Sequence, residues 1–311
     1  MGLAFLYPGQ GAQRVAMVRE FWEAFPQETE EHFRVANDIC QVDLLNLCLN
    51  GPQEELNLTY NAQPAILTTS FLIFDLLLKE GVPEPEVVAG HSLGEYSALV
   101  CAGCFSFPEA VYLVRKRGEI MQAAVPPDEG AMVAIIGLSL SQVEELVEEV
   151  SPQGKVEIAN LNSSDQIVLS LERKILDLVL EKTKQKGSKK AIPLEVSAPF
   201  HSSFMKPAQE QFRIVLQGVN FQKPRYRYLS NVTGDWVDYP QDIRELLVEQ
   251  MTSSVQWKKI MDRLYQADYR SFVEVGPGSV LGKLFKREYR EVTVYRTDSI
   301  ASFEIIKRKA G

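Results

Sequence analysis

A short apolar run, Val87-Val88-Ala89-Gly90, leads straight into His91-Ser92-Leu93-Gly94 and then into a stretch of helical periodicity. The order strand, Gly-x-Ser-x-Gly, helix constrains the fold more than any other feature of the chain. It predicts a sharp turn at the carboxyl edge of a sheet, where glycines relieve crowding and a serine oxygen is held above the strand ends. Around this point apolar runs alternate with amphipathic stretches, the pattern of a mostly parallel sheet covered by helices. Residues 3–7 (LAFLY) read as a central strand, residues 28–40, 62–79 and 108–123 as helices.

Turn formers at residues 125–130 punctuate the chain, and the pattern changes after them. Residues 129–197 read as strand, helix capped by Ser139 or Ser141, two strands joined at Asn162-Ser163-Ser164-Asp165, helix, and a last strand over 189–197. The order β-α-β-β-α-β is that of a ferredoxin-like unit, so this segment is expected as a small domain inserted into a larger one made of 1–128 and 198–311. Beyond it, helices are expected near 203–216, 241–251 and 256–267, a strand over 271–276, and a short helix from Ser279.

A serine hydroxyl becomes a nucleophile only when a neighbouring base takes its proton. The chain has three histidines. His32, among Glu30, Glu31 and Phe33, reads as part of a solvated helix face, and His91 adjoins the serine with its side chain expected to point away. His201, in Ser197-Ala198-Pro199-Phe200-His201-Ser202, is left as the base for Ser92, in the chain order Ser before His. No acidic partner for it is singled out by the sequence.

Several further motifs lie in order along the chain: Pro8-Gly9-Gln10-Gly11-Ala12-Gln13, Gly90-His91-Ser92-Leu93-Gly94-Glu95, Arg117-Gly118, Asn160-Leu161-Asn162-Ser163, Pro199-Phe200-His201-Ser202, Gln250 before Val255-Gln256-Trp257, and Glu274-Val275-Gly276-Pro277-Gly278. Together they resemble the malonyl-CoA:acyl carrier protein transacylase family over essentially the whole chain. The resemblance implies an α/β fold with an α/β-hydrolase-like large subdomain, a mostly parallel sheet and the inserted ferredoxin-like unit. It implies that Ser92 is the nucleophile, that His201 is the general base, and that the backbone carbonyl of Gln250 holds the histidine's second nitrogen. Backbone N–H groups of Gln10 and Leu93 would form the oxyanion hole, a role that the turn geometry also predicts for Leu93. Arg117 would grip the malonyl carboxylate with two parallel charge-assisted hydrogen bonds; His91 and Asn162 would line the substrate site. Ala12, where serine is usual, and Cys104, where a smaller residue is commoner, are departures that leave these roles intact.

The expected partners are malonyl-CoA and an acyl carrier protein, and the expected protein is a cytoplasmic monomer without bound cofactor or metal, since the phosphopantetheine belongs to the substrates. A free-standing acyltransferase of a polyketide pathway and a serine acyl hydrolase share these motifs. Net charge is -8, which argues against nucleic acid as a partner, because such affinity comes mainly from neutralising phosphates. Charge is segregated: residues 1–100 carry 4 Lys/Arg against 14 Asp/Glu, residues 201–311 carry 18 against 13. Arg117, Lys189, Lys190 and cations of the C-terminal third are expected to face one cleft, with Lys189 and Lys190 available to CoA phosphates or an acidic carrier. The apolar stretch 71–78 is interrupted by Asp75 and falls short of the ~20 residues that cross a bilayer, so no membrane association is expected. Cys40, Cys48, Cys101 and Cys104 read as reduced structural thiols, and residues 276–283 as a strand-to-helix turn, although they superficially resemble a phosphate loop.

Overall fold

The computed structural model describes residues 2–126, 128–195 and 198–310. In chain order its strands are β1 (Leu3–Tyr7), β2 (Val87–Gly90), β3 (Gly130–Ile136), β4 (Val156–Ser163), β5 (Gln166–Glu172), β6 (Lys190–Pro193), β7 (Arg227–Tyr228), β8 (Ser271–Glu274) and β9 (Thr293–Arg296). They form two sheets. The first has the order β7-β2-β1-β8-β9 with every pair parallel, and the second has the order β4-β5-β3-β6 with every pair antiparallel. The molecule is thus a mixed α/β protein with a parallel sheet and a separate antiparallel one built from residues 130–193.

In the parallel sheet β1 and β2 are apolar runs buried throughout, as befits strands covered on both faces. Helix Thr59–Lys79 packs on it, with sixteen buried residues including Leu67, Leu72 and Leu76. It is the one helix among the described residues long and apolar enough to cross a bilayer, a property that the sequence reading, confined to residues 71–78, did not see; 83% of its apolar window is buried inside the protein. In the antiparallel sheet, Val133, Ile135, Ile167, Leu169 and Leu171 meet Val143, Leu146 and Val150 of helix Leu140–Val150 in a small core of their own. Ser139 caps that helix by a full capping box with Gln142.

The expected last strand, 189–197, is shorter than read: β6 is an edge strand of Lys190–Pro193 with most of its side chains in solvent, and one further bond, from the Leu194 N–H to the Met132 carbonyl at 2.9 Å, follows it. Val196, Ser197 and Pro127, at the edges of the expected insert, lie outside the described residues. His32 also departs from expectation. It is half-buried against Phe71 and Phe107, with Nε2 2.9 Å from Asp75 Oδ2 and Nδ1 2.7 Å from the Glu28 carbonyl. Burial opposes its protonation, but these two acceptors prevail and raise its pKa. All four cysteines are free and buried, and burial pushes the thiols up, Cys40 to about 11 and Cys104 to about 12.

Residues 276–283 form the turn from β8 into helix Val280–Glu288. The N-terminus of that helix is already occupied from within: the Glu274 carboxylate accepts the backbone N–H groups of Leu281 at 3.0 Å and Gly282 at 2.8 Å. A carboxylate at a helix start does what a bound phosphate would do there.

Candidate active site

β1 and β2 run side by side in register, Tyr7 opposite Gly90, so the loops leaving their carboxyl ends emerge together. The order β2-β1-β8 places successive connections on opposite sides of β1, which is where open α/β sheets form crevices. Ser92 sits at the turn with φ +52° and ψ −107°, a strained conformation for a residue with a side chain. Its surroundings enforce the turn. A Cβ on Gly90 would lie 1.9 Å from the Gly94 carbonyl oxygen, and one on Gly94 would lie 2.0 Å from the Tyr7 carbonyl oxygen. Both positions therefore have no room for any residue but glycine. Asn231 finishes the turn, accepting the Ser92 N–H at 2.6 Å and donating to the Gly90 carbonyl at 2.7 Å.

Ser92 Oγ lies 2.7 Å from His201 Nε2, and His201 Nδ1 lies 2.9 Å from the backbone carbonyl oxygen of Gln250. A carbonyl only accepts, so Nδ1 carries the proton and Nε2 is free to accept from the serine. The carbonyl is available because Gln250 is the C-cap residue of helix Pro240–Glu249, where the last carbonyls have no intrahelical donor. Burial, then the neighbouring Arg117 guanidinium, push the His201 pKa down to about 3, so the ring is neutral at physiological pH.

Arg117 is 1% exposed, an extreme value for a guanidinium. Its Nη1 donates to Gln63 Oε1 at 2.8 Å, and its Nη2 to Gln250 Oε1 at 2.9 Å and to Ser92 Oγ at 3.1 Å. Its carbon lies 5.2 Å from the centre of the Tyr96 ring, within cation–π range. Gly118 makes this possible. A Cβ there would meet Tyr60 Cα at 2.6 Å and the Thr59 carbonyl oxygen at 2.8 Å, so only glycine lets helix Phe107–Ala123 lie against the start of helix Thr59–Lys79 and bring Arg117 to Gln63.

His91 and Asn162 meet across the two sheets, His91 Nε2 lying 2.7 Å from Asn162 Oδ1, with the imidazole edge-on to Trp257. Asn162 belongs to β4, which is fastened to the parallel-sheet side where Leu161 N–H donates to the Val255 carbonyl and Val255 N–H to that of Ala159. Gln10 follows β1 on the loop beside the elbow, its side chain donating to Thr59 Oγ1 at 3.3 Å, while Leu93 opens helix Leu93–Cys101, where its N–H has no intrahelical acceptor. Ser92, His201, Gln250 and Arg117 are thus joined by direct hydrogen bonds, with Leu93 and Gln10 flanking them and His91 and Asn162 forming a separate pair beside the serine. Sequence reasoning gave no role to Asn231, Gln63 or Tyr228. Glu95 stood in a motif without a role, although its place three residues after Ser92 on a helix puts it on the face that looks back at the turn.

Lys189 and Lys190 are exposed. Lys189 Nζ lies 3.7 Å and Arg287 Nη1 3.6 Å from the Asp165 carboxylate, so cations from the antiparallel sheet and from the C-terminal third do converge there. Arg117 is not one of that group; it is enclosed within the protein at the serine. Among the described residues no cluster of His, Cys, Asp and Glu is arranged to hold a metal ion.

Comparison with known proteins bears on this geometry. The family model described as "Acyl transferase domain" matches residues 4–308. The chain is 42% identical over 304 residues to the malonyl CoA-acyl carrier protein transacylase of Bacillus subtilis (strain 168), covering 97% of this chain and 95% of that protein. It is 40% identical over 284 residues to the transacylase of the same name from Escherichia coli K12, covering 91% and 92%. Among solved structures, the malonyl CoA-acyl carrier protein transacylase of Coxiella burnetii superposes with a TM-score of 0.96 at 37% identity, covering 100% of this chain and 98% of that one. A malonyl-transacylase in complex with its type II PKS acyl-carrier protein superposes with the same TM-score at 36% identity, covering 99% and 100%.

Proposed function

The chain belongs to the acyl transferase domain family and, within it, to the malonyl CoA-acyl carrier protein transacylases, and from that premise we propose how its residues carry the transfer of malonyl from CoA to a carrier's phosphopantetheine thiol. Ser92 Oγ attacks the malonyl thioester carbonyl while His201 Nε2 takes its proton. The Leu93 and Gln10 N–H groups receive the developing oxyanion. As the tetrahedral species collapses, the C–S bond breaks and His201 returns the proton to the leaving CoA thiolate, leaving malonyl-Ser92. The carrier's thiol then gives its proton to His201 and attacks the ester carbonyl; the C–O bond breaks, and the proton returns to Ser92. The Gln250 carbonyl keeps the imidazole in the tautomer that both halves need.

The observation that carries this reading is the buried Arg117 guanidinium 3.1 Å from the nucleophilic oxygen. A site for neutral acyl groups has no use for a cation held there, whereas an acyl group ending in a carboxylate does. The amide oxygens of Gln63 and Gln250 accept from two guanidinium nitrogens; a malonyl carboxylate would share or displace them. A low-water cleft around the clamped acyl group favours transfer over hydrolysis.

No resident cofactor enters these steps. We assign the protein to the cytoplasm, to a monomeric state, to fatty-acid biosynthesis, and to two subdomains, 1–128 with 198–311 and the inserted 129–197; His91 and Asn162 are assigned to the substrate site. Intact-mass spectrometry of the protein mixed with malonyl-CoA tests the central step. The expected result is a malonyl adduct that is absent in Ser92→Ala; an unmodified wild-type protein overturns the reading.

A further inference from the structure

One buried ionisable side chain next to the site has no part in the transfer steps. Glu95 is 1% exposed, and three donors converge on its carboxylate. Tyr228 O–H and the Asn231 backbone N–H, the latter at 3.1 Å, donate to Oε1, and Gln250 Nε2 donates to Oε2. Gln250 Nε2 also donates to the Ser92 carbonyl oxygen at 3.1 Å. Both hydrogens of that amide nitrogen are therefore committed, and the amide oxygen is left to face Arg117 Nη2 at 2.9 Å.

The reverse orientation of the amide is excluded by the same atoms. It would set the Gln250 NH2 against the guanidinium, donor to donor, and its oxygen against the Ser92 carbonyl and the Glu95 carboxylate, acceptor to acceptor. Unmatched buried polar atoms are costly to leave so. Gln250 is also the residue whose backbone carbonyl orients His201. From this geometry we infer that Glu95 is a positioning residue: by fixing the Gln250 amide it holds the Arg117 guanidinium where an acyl carboxylate must bind, and so sets the preference for acyl groups that end in a carboxylate. The inference rests on the malonyl-transfer reading above, and concerns a residue that touches no substrate in it.

Glu95→Gln tests it at constant shape. The Asn231 N–H can only donate, so it fixes the new side chain's carbonyl at the Oε1 position and turns its NH2 toward the Gln250 NH2. Two donors then face each other, so the Gln250 amide is pushed from its place and its oxygen is drawn away from Arg117 Nη2. Rates of transfer from malonyl-CoA and acetyl-CoA, measured on the purified full-length protein, give the readout. Loss of one buried hydrogen bond to a charged group predicts that kcat/KM for malonyl-CoA falls about ten- to a hundredfold, while that for acetyl-CoA falls far less and malonyl-Ser92 still forms. Tyr228→Phe removes one donor from Glu95 but leaves its contact with Gln250, and is expected to keep the wild-type ratio of malonyl to acetyl. Equal losses for both acyl groups in Glu95→Gln, or the same change of ratio in Tyr228→Phe, overturn the inference. Should Glu95→Gln not fold, Gln250→Met decides: an unchanged malonyl-to-acetyl ratio overturns it, and a lowered ratio supports it. Absence of any malonyl adduct on the wild-type serine would instead overturn the transfer reading itself.

Discussion

His201 illustrates how a residue's chemistry is set by what surrounds it. Its ordinary value near 6.5 is pushed down to about 3 by burial and by Arg117, so the folded protein keeps it neutral where the unfolded chain takes up a proton. A group whose folded value is depressed gives stability above its unfolded value and loses it as the pH falls toward the folded value. Between pH 7 and pH 5 this site alone should cost about 2 kcal/mol of unfolding free energy. Urea unfolding of His201→Gln is therefore expected to show a smaller loss between those two pH values than the wild type, and an identical loss would contradict the neutral assignment. Titration of the imidazole by NMR should likewise show no protonation of His201 above pH 5. The serine was legible in the sequence because it sits in a recognisable local pattern, and the histidine because the chain has only three and the other two were set aside. Glu95 had the pattern but not the partners: Tyr228, Asn231 and Gln250 are remote in sequence, and their donors reach it only in the folded chain.

At the scale of elements, the contact between helices Thr59–Lys79 and Phe107–Ala123 decides where the guanidinium lies. Gly118 faces backbone atoms there, not a flexible side chain, so nothing can move aside cheaply. Gly118→Ala is expected to cost about 1–3 kcal/mol by overpacking and, by separating the helices, to move Arg117 from Gln63. A lower urea midpoint together with a lowered malonyl-to-acetyl preference is the predicted outcome; a destabilised protein with its preference intact would show that the contact serves stability alone. The principal helices and the strands β1, β2 and β8 were readable from period and composition. β7 was not, since two residues carry no periodicity, and β9 was not, since Thr293–Arg296 is a short edge strand with half its side chains in solvent. The short helices Leu44–Asn50 and Gln53–Asn57 were missed for the same reason of length.

For the whole molecule, the junction of the two sheets matters most. Ser164, at the turn between β4 and β5, donates through both its N–H and its hydroxyl to Glu288 Oε1 at 2.7 Å, and Lys189 and Arg287 flank the adjacent Asp165. The same turn lies two residues beyond Asn162, the partner of His91. An acidic protein that handles anionic substrates has to present cations locally, because its overall field repels them. The double substitution Lys189→Glu with Lys190→Glu is expected to raise KM for malonyl-CoA or for the carrier protein at low salt, with the difference shrinking as ionic strength rises. Steady-state kinetics at two salt concentrations check this, and unchanged KM for both substrates would remove these lysines from recognition.

The sequence by itself determined the elbow, its serine and the order of strands and helices around it. These follow from rules of short range: apolar period, glycine where no Cβ fits, and turn formers between elements. The count of histidines singled out His201, and the resemblance of the chain's motifs to a family added the Gln250 carbonyl and Arg117. What the tertiary structure alone decided is the set of contacts by which these groups and Glu95 meet at that serine. The carbonyl that holds His201, the amide that faces Arg117 and the carboxylate that orients the amide come from segments 49 to 158 residues apart. Donors and acceptors are matched only when the closed fold brings them to about 3 Å, and no local pattern in the chain records that distance.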